Sequence, residues 1–365
     1  SGSAGEFVGR PVGGGLVPPD ACTTTPLGSD ASNTSCLVRS RDTGLVVKLF
    51  RRPSPGIHPE VEVGEFFSTS MAVFVPALAT PRLRGWLEYR PHGGGPSTAL
   101  ATVHDWLPGC ESAWDVLGGL LAAGGLDGPH GDRIRAIAAA LGRATAALHA
   151  TLASRADVPA FAPVRTTPAH RAEAVAAATA HASGVLDLAA RRAKGLPGPL
   201  RDRIDKLGAR REEVLARLRG LEAALPNWLI RVHGDYHLGQ VLLDHADRPF
   251  VIDFEGEPGR SLAARREPAP AAKDVAGMCR SFDYLARHAA VPDPSIVAGT
   301  LQREFLAAYA GAAAGQPWWP AEPEAAARLV RILALDKAVY ELAYELRHRP
   351  DWVAIPLAGI EAALA

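Results

Sequence analysis

Hydrophobic and polar positions divide the chain into two stretches of different period. Up to about Leu107 the apolar residues come in short runs. Thr34–Val38 and Gly44–Phe50 flank the polar stretch Arg39–Thr43 and predict a β-hairpin. Trp86–Tyr89 and Leu100–Leu107 predict two further strands. The run Pro91-His92-Gly93-Gly94-Gly95-Pro96 between them reads as a turn and not as a phosphate cradle, since no helix follows it. Pro53, Pro55 and Pro59 break the chain ahead of Val61–Phe67, a short predicted helix. Residues 1–30, rich in Gly, Pro and Thr, show neither period and are expected to be loop.

Beyond Pro108 the period becomes helical. Ile134, Ile137, Leu141, Leu148 and Leu152 share one helical face, and 169–194 is alanine-rich. Leu200, Ile204, Leu207, Val214, Leu218, Leu221 and Leu225 predict a long amphipathic helix that Arg211 interrupts. Its pattern lasts about three and a half heptads, so packing within its own lobe is preferred to a coiled-coil dimer. Gln240–Leu243 and Phe250–Phe254 predict a small hairpin turning at His245-Ala246-Asp247, and helical pattern resumes from Lys273. No internal repeat is visible.

Composition narrows the function classes. Hydrophobic residues make up 47% and charged residues 21%, ordinary for a soluble globular protein. Lys plus Arg equals Asp plus Glu at 39 each, so bulk charge points to neither nucleic acid nor an anionic membrane. No window approaches the roughly 18 apolar residues of a membrane span, and Ser1–Phe7 lacks the basic and apolar regions of a signal peptide. Cys22, Cys36, Cys110 and Cys279 are scattered, which reads as reduced thiols and not a disulfide framework or zinc site. The expectation is a cytoplasmic protein without nucleic-acid or membrane partners; the oligomeric state is open, with a monomer preferred.

Candidate chemistry concentrates in His233-Gly234-Asp235-Tyr236-His237-Leu238-Gly239-Gln240 and in Val251-Ile252-Asp253-Phe254-Glu255-Gly256-Glu257. Phosphoryl transfer needs one carboxylate to orient the acceptor hydroxyl and take its proton. It needs a second carboxylate and an amide oxygen to hold Mg²⁺ against nucleotide phosphates. Asp235 and Gln240 share a loop, and Asp253 ends a strand placed to return beside it. Lys48 is isolated within the apolar run Val46–Phe50 and needs a carboxylate; Glu62 is the first candidate and Glu60 the second.

These motifs resemble the catalytic loop and metal-binding Asp of the aminoglycoside phosphotransferase-like kinases, and match the maltokinase branch, H-G-D-x-H-L-G-Q-V and D-F-E-G-E-P, closely. Asp274-Val275-Ala276-Gly277-Met278, Arg280-Ser281-Phe282-Asp283-Tyr284 and Asp336–Glu341 extend the resemblance from about Ser32 to the C-terminus. It implies an α+β, bilobal protein-kinase-like fold, with a β-rich N-lobe over 1–107 and a helical C-lobe over 108–365. It implies ATP and Mg²⁺ as cofactors, Asp235 as catalytic base, and Gln240 and Asp253 as metal ligands with Glu255 supporting them. Lys48, held by Glu62, would grip the nucleotide phosphates, as would the turn Ser32-Asn33-Thr34-Ser35. His233 and His237 would brace the loop. His237, Tyr340, Glu341, Tyr344, Glu345 and Trp352 fit a sugar site in type, since aromatic faces stack on sugars and carboxylates accept from hydroxyls.

The chain departs from maltokinases at Tyr236, where those usually carry Leu, and in having only residues 1–31 ahead of the Ser32 turn, where those carry a sizeable cap. The implied substrate is therefore maltose, giving maltose 1-phosphate, or the amino sugar glucosamine, giving glucosamine 6-phosphate, whose ammonium Glu341, Glu345 or Asp351 would receive. An aminoglycoside phosphotransferase and a catalytically silent binding module are the alternatives. A zinc hydrolase built on His233 and His237 is disfavoured, because Gly234 and Gly239 oppose a helix and no H-E-x-x-H occurs. The absence of G-x-x-x-x-G-K-[ST] excludes a P-loop kinase.

Overall fold

The computed structural model describes residues 4–13, 22–29, 33–41, 43–69 and 78–365. In chain order the strands and helices begin with β1 (Gly5–Pro11), β2 (Thr23–Ser29), β3 (Asn33–Arg39), β4 (Gly44–Phe50), α1 (Pro59–Thr69), β5 (Leu83–Pro91), β6 (Thr98–Asp105) and β7 (Glu111–Ser112). They continue with α2 (Ala113–Ala122), α3 (Gly131–Leu152), β8 (Val164–Arg165), α4 (Pro168–Arg192), α5 (Gly198–Ala209), α6 (Arg211–Arg219), α7 (Leu221–Ala224) and β9 (Trp228–Leu229). The last are β10 (Val241–Leu243), β11 (Pro249–Val251), α8 (Leu262–Arg265), α9 (Ala272–His288), α10 (Pro294–Ala312), α11 (Pro323–His348) and α12 (Ala354–Leu364).

Packing groups these elements into two units. The first comprises Ser1–Ala113, His233–Asp235 and Gln240–Glu267; the second comprises Trp114–Val232, Tyr236–Gly239 and Pro268–Ala365. The chain-order division at residue 107 thus differs from the packing, because His233–Asp235 and Gln240–Glu267 group with the first unit.

In the first unit six antiparallel strands form one sheet in the order β1-β5-β6-β4-β3-β2. The hairpin read from the sequence is β3–β4, in register from Asn33↔Phe50 to Arg39↔Gly44. The expectation of loop over residues 1–30 is corrected by β1 and β2. β1 pairs along β5 from Gly5↔Pro91 to Pro11↔Gly85, a partner too distant in sequence for local pattern to reveal. β2 is an edge strand, where Pro26 costs no ladder bond that the sheet needs. Phe50, Val61 and Ala99 pack together with Trp86, which seats α1 on the sheet. In the β10–β11 hairpin the Asp244 carboxylate accepts from the N–H groups of Ala246 and Arg248, both at 2.9 Å, and so closes the turn.

The second unit is helical. Ile134, Ile137, Leu141, Leu148 and Leu152, the stripe read from the sequence, are all fully buried on α3, each contributing about 1.5–3 kcal/mol by burial. α3 packs on α10, and a Cβ at Gly142 would stand 2.3 Å from the Phe305 carbonyl oxygen, so only glycine permits the approach. The amphipathic stretch over 200–225 breaks twice, into α5, α6 and α7, and buries Ile204, Leu207, Val214, Leu218 and Leu221 within its own unit. Among the described residues no helix is long and apolar enough to cross a membrane.

Candidate active site

Two loops carry the motif residues, and their parts in the first unit, His233–Asp235 and Gln240–Glu257, are tied together by backbone groups. His233 Nε2 donates to the Ile252 carbonyl at 2.9 Å, and the Ile252 N–H donates to the Gln240 carbonyl at 3.0 Å. Gly234, at φ 89°, and Gly256, at φ 71°, face each other so closely that a Cβ on Gly234 would lie 3.4 Å from the Gly256 Cα. Asp253 itself has φ 66°, a left-handed conformation that Asp tolerates better than most residues. It ends the β11 path by turning its carboxylate toward Gln240, whose Nε2 donates to Oδ2 at 3.0 Å. Asp235, half-buried, follows Gly234 in the same unit.

Lys48 on β4 is the centre of the charge cluster. Its buried ammonium lies 2.5 Å from Asp253 Oδ1, 2.5 Å from Glu255 Oε1 and 3.7 Å from Glu60 Oε2. Burial opposes the charge on Lys48, but Glu60, Asp253 and Glu255 together outweigh it and hold the ammonium above its ordinary value. Glu60 responds in the opposite sense. Burial works against its ionisation, yet Lys48, aided by His104, whose Nε2 is 3.2 Å away, keeps it well below the usual carboxylate range. Burial pushes Glu255 up to about 7 against the pull of Lys48, with Asp253 and Glu60 adding repulsion. His58 stacks on Phe50 at 4.0 Å, and burial brings it down to about 4.

One ammonium therefore faces three carboxylates. Ligand oxygens of Glu60, Asp253 and Glu255 all lie within 4.8 Å of one another. Such a set of hard oxygen donors, short of positive charge, fits a cation of the Mg²⁺ type.

The residues singled out from sequence fall as follows. Glu62 is not the partner of Lys48: its carboxylate takes both arms of Arg266, at 2.8 and 2.5 Å, and Glu60 meets the lysine instead. Two residues apart on a helix, Glu60 and Glu62 point about 200° apart, so only one can face β4. Ser32 lies outside the described residues. Asn33, Thr34 and Ser35 belong to strand β3 and not to a turn. Asn33 is buried and donates from Nδ2 to Glu255 Oε1 at 2.7 Å, while Thr34 Oγ1 accepts from Arg51 Nε at 2.9 Å. Sequence reasoning missed His58 and His104, whose only signal was a titratable side chain beside or within an apolar run.

In the helical unit His237 Nδ1 accepts from the Gly239 N–H at 3.1 Å and so braces its loop. Arg349 gathers three of the predicted sugar residues. It donates to Glu345 at 2.8 and 2.9 Å, and its guanidinium lies 5.1 Å from the Tyr344 ring and 4.9 Å from that of Trp352. Glu345 also accepts from the Tyr284 hydroxyl at 3.1 Å, and Trp352 stacks with Tyr284 and His288. Glu341 is buried and bound by Arg280 at 2.9 and 2.8 Å. Both carboxylates offered as hydroxyl acceptors are thus engaged by arginines. Tyr340 stands elsewhere on α11, beside Lys337 and His181.

Comparison with known proteins places the chain in a family. Residues 23–256 match the phosphotransferase enzyme family. A glucosamine kinase of Streptacidiphilus jiangxiensis is 32% identical over 338 residues, 90% of this chain and 70% of that protein. A glucosamine kinase of Mycolicibacterium smegmatis is 31% identical over 283 residues, 74% of this chain and 64% of that protein. A solved glucosamine kinase in complex with glucosamine, ADP and inorganic phosphate has a TM-score of 0.69 at 28% identity, covering 95% of this chain and 80% of that one. The chain therefore belongs to the phosphotransferase enzyme family and is a kinase of its aminoglycoside phosphotransferase-like branch.

Proposed function

We propose that the protein is a Mg-ATP-dependent sugar kinase of the cytoplasm with glucosamine as acceptor. The observation that carries the reaction type is the Lys48 cluster, an ammonium set among Glu60, Asp253 and Glu255 beside the Gln240–Asp253 pair. Support for the acceptor is the identity to two glucosamine kinases over most of the chain.

In this reading Lys48, fixed by Glu60, positions the nucleotide phosphates. Asp253 and Gln240 would hold Mg²⁺, with Glu255 beside them; when bound, the ion neutralises charge on the β- and γ-phosphates. Asp235 orients the sugar hydroxyl and takes its proton as the oxygen–phosphorus bond forms and the bond from the γ-phosphorus to the ADP oxygen breaks. The products are ADP and glucosamine 6-phosphate.

The test is an ADP-release assay with ATP and Mg²⁺ on glucosamine, glucose, maltose and an aminoglycoside. Glucosamine is expected to give the highest kcat/KM, by at least about tenfold, a margin that one well-placed ammonium contact supplies. Preference for maltose or the aminoglycoside refutes the acceptor assignment. Silence on every acceptor with ATP still bound refutes turnover and favours a binding module. Asp235→Asn is expected to lower kcat by about 10²–10⁴ while nucleotide affinity is retained.

A further inference from the structure

The tetrapeptide Tyr236-His237-Leu238-Gly239 joins Asp235 to Gln240, the two residues assigned to acceptor and metal, and belongs to the helical unit. Its own contacts there come from two helices. On α9, Ser281 Oγ accepts the Leu238 N–H at 3.1 Å, both groups being buried. One helical turn earlier, at Gly277, an added Cβ would stand 2.6 Å from the Tyr236 carbonyl oxygen. The backbone of α9 therefore lies directly against the tetrapeptide, with Gly277 and Ser281 on one face of the helix. On α3, the hydroxyls of Thr145 and Tyr236 are hydrogen-bonded at 3.0 Å, and Thr145 also donates to the Leu141 carbonyl at 2.7 Å. Tyr236 is 2% exposed and Leu238 is fully buried, so neither contact is exchanged for water.

We propose that Ser281 and the Thr145–Tyr236 pair are positioning residues for phosphoryl transfer, which set the span between Asp235 and Gln240. The inference rests on the roles given to those two residues under the proposed function. A four-residue span pinned at its first and third residues has little freedom left at either end. Unpinning it moves the carboxylate that must meet the acceptor hydroxyl, and a misplacement of about 1 Å costs on the order of 100-fold in rate. Nucleotide binding through Lys48 draws on none of these bonds.

The expected results with glucosamine, ATP and Mg²⁺ follow. Ser281→Ala lowers kcat by about 10–100-fold with KM for ATP within about twofold of wild type, and Ser281→Thr, which keeps the hydroxyl, restores most of the rate. Tyr236→Phe and Thr145→Val each lower kcat, and the double variant falls no further than Thr145→Val alone, because Tyr236→Phe deletes only a bond that Thr145→Val has already removed. A Ser281→Ala enzyme with kcat within about twofold of wild type overturns the proposal, as does a rise in KM for ATP equal to the fall in kcat. Should Ser281→Ala fail to fold, the Tyr236 and Thr145 variants decide by the same kcat-against-KM split. Asp235→Asn separates the two readings. Full turnover in that variant sinks the assignment of the base, whereas its loss beside intact kcat in the positioning variants sinks this inference alone.

Discussion

Replacing Glu255 by glutamine perturbs the charge balance around Lys48 with little change of shape. Glutamine keeps an oxygen for Asn33 Nδ2, now at 2.7 Å from the carboxylate, and Lys48 keeps Asp253 and Glu60. What the substitution removes is a buried carboxyl that burial raises from 4.5 to about 7, against the attraction of Lys48. A carboxyl whose folded value exceeds its unfolded value holds its proton more tightly in the folded chain. Its contribution to stability is therefore fully present below 4.5 and is lost as pH rises through about 7. At about 1.4 kcal/mol per tenfold change in proton affinity, the loss across that window is on the order of 3 kcal/mol. Urea unfolding followed by tryptophan fluorescence, run on both proteins at intervals between pH 4.5 and 8, measures it. Titrating groups outside the Lys48 cluster cancel in the difference between variant and wild type. The expected outcome is that Glu255→Gln gains on wild type by about 3 kcal/mol as pH rises across the window. Parallel pH dependences would refute the reasoning, since they would mean that Glu255 ionises alike in the folded and unfolded chain.

Three further outcomes are expected. Glu60→Gln should lower kcat/KM for ATP by about tenfold or more, whereas Glu62→Gln should leave it within about threefold and cost about 1–2 kcal/mol of unfolding free energy through the lost Arg266 pair; equal kinetic effects would return Glu62 to the lysine. Asp253→Ala should abolish the Mg²⁺ dependence of nucleotide affinity, read by calorimetric titration of ATP with and without the ion, and an unchanged dependence would remove Asp253 from the metal site. His149→Ala should destabilise the helical unit by about 3 kcal/mol or more in urea unfolding, because fully buried His149 bridges the Tyr309 hydroxyl at 2.7 Å and Asp274 at 3.1 Å.

Particular elements show how far the chain could be read without its structure. The β3–β4 and β10–β11 hairpins, the α3 stripe and α1 were legible because each rests on period and turn chemistry within a few residues. The meeting of Gln240 with Asp253 was legible for a related reason: the two flank one short hairpin and so return beside each other. The strands at Gly5–Pro11 and Thr23–Ser29 were not. Their sequences, GEFVGRP and TTTPLGS, carry no apolar alternation, and they are held by ladder bonds to β5 and β3 that sequence pattern does not record.

The same boundary runs through the site. Residue types alone determined that a lysine in an apolar strand needs acidic company, and the resemblance of the two motifs to phosphotransferase loops pointed to phosphoryl transfer. Which carboxylates supply that company was decided in three dimensions. The seating of α1 on the sheet turns Glu60 inward and Glu62 toward Arg266, and the fold carries Glu255 across 207 positions of sequence to the same ammonium. The arginines that engage Glu341 and Glu345 were likewise hidden, because a buried carboxylate takes whichever cation packing brings within reach. Local pattern records what a segment needs; only the folded chain, by excluding water and fixing distances, determines which distant residue meets that need.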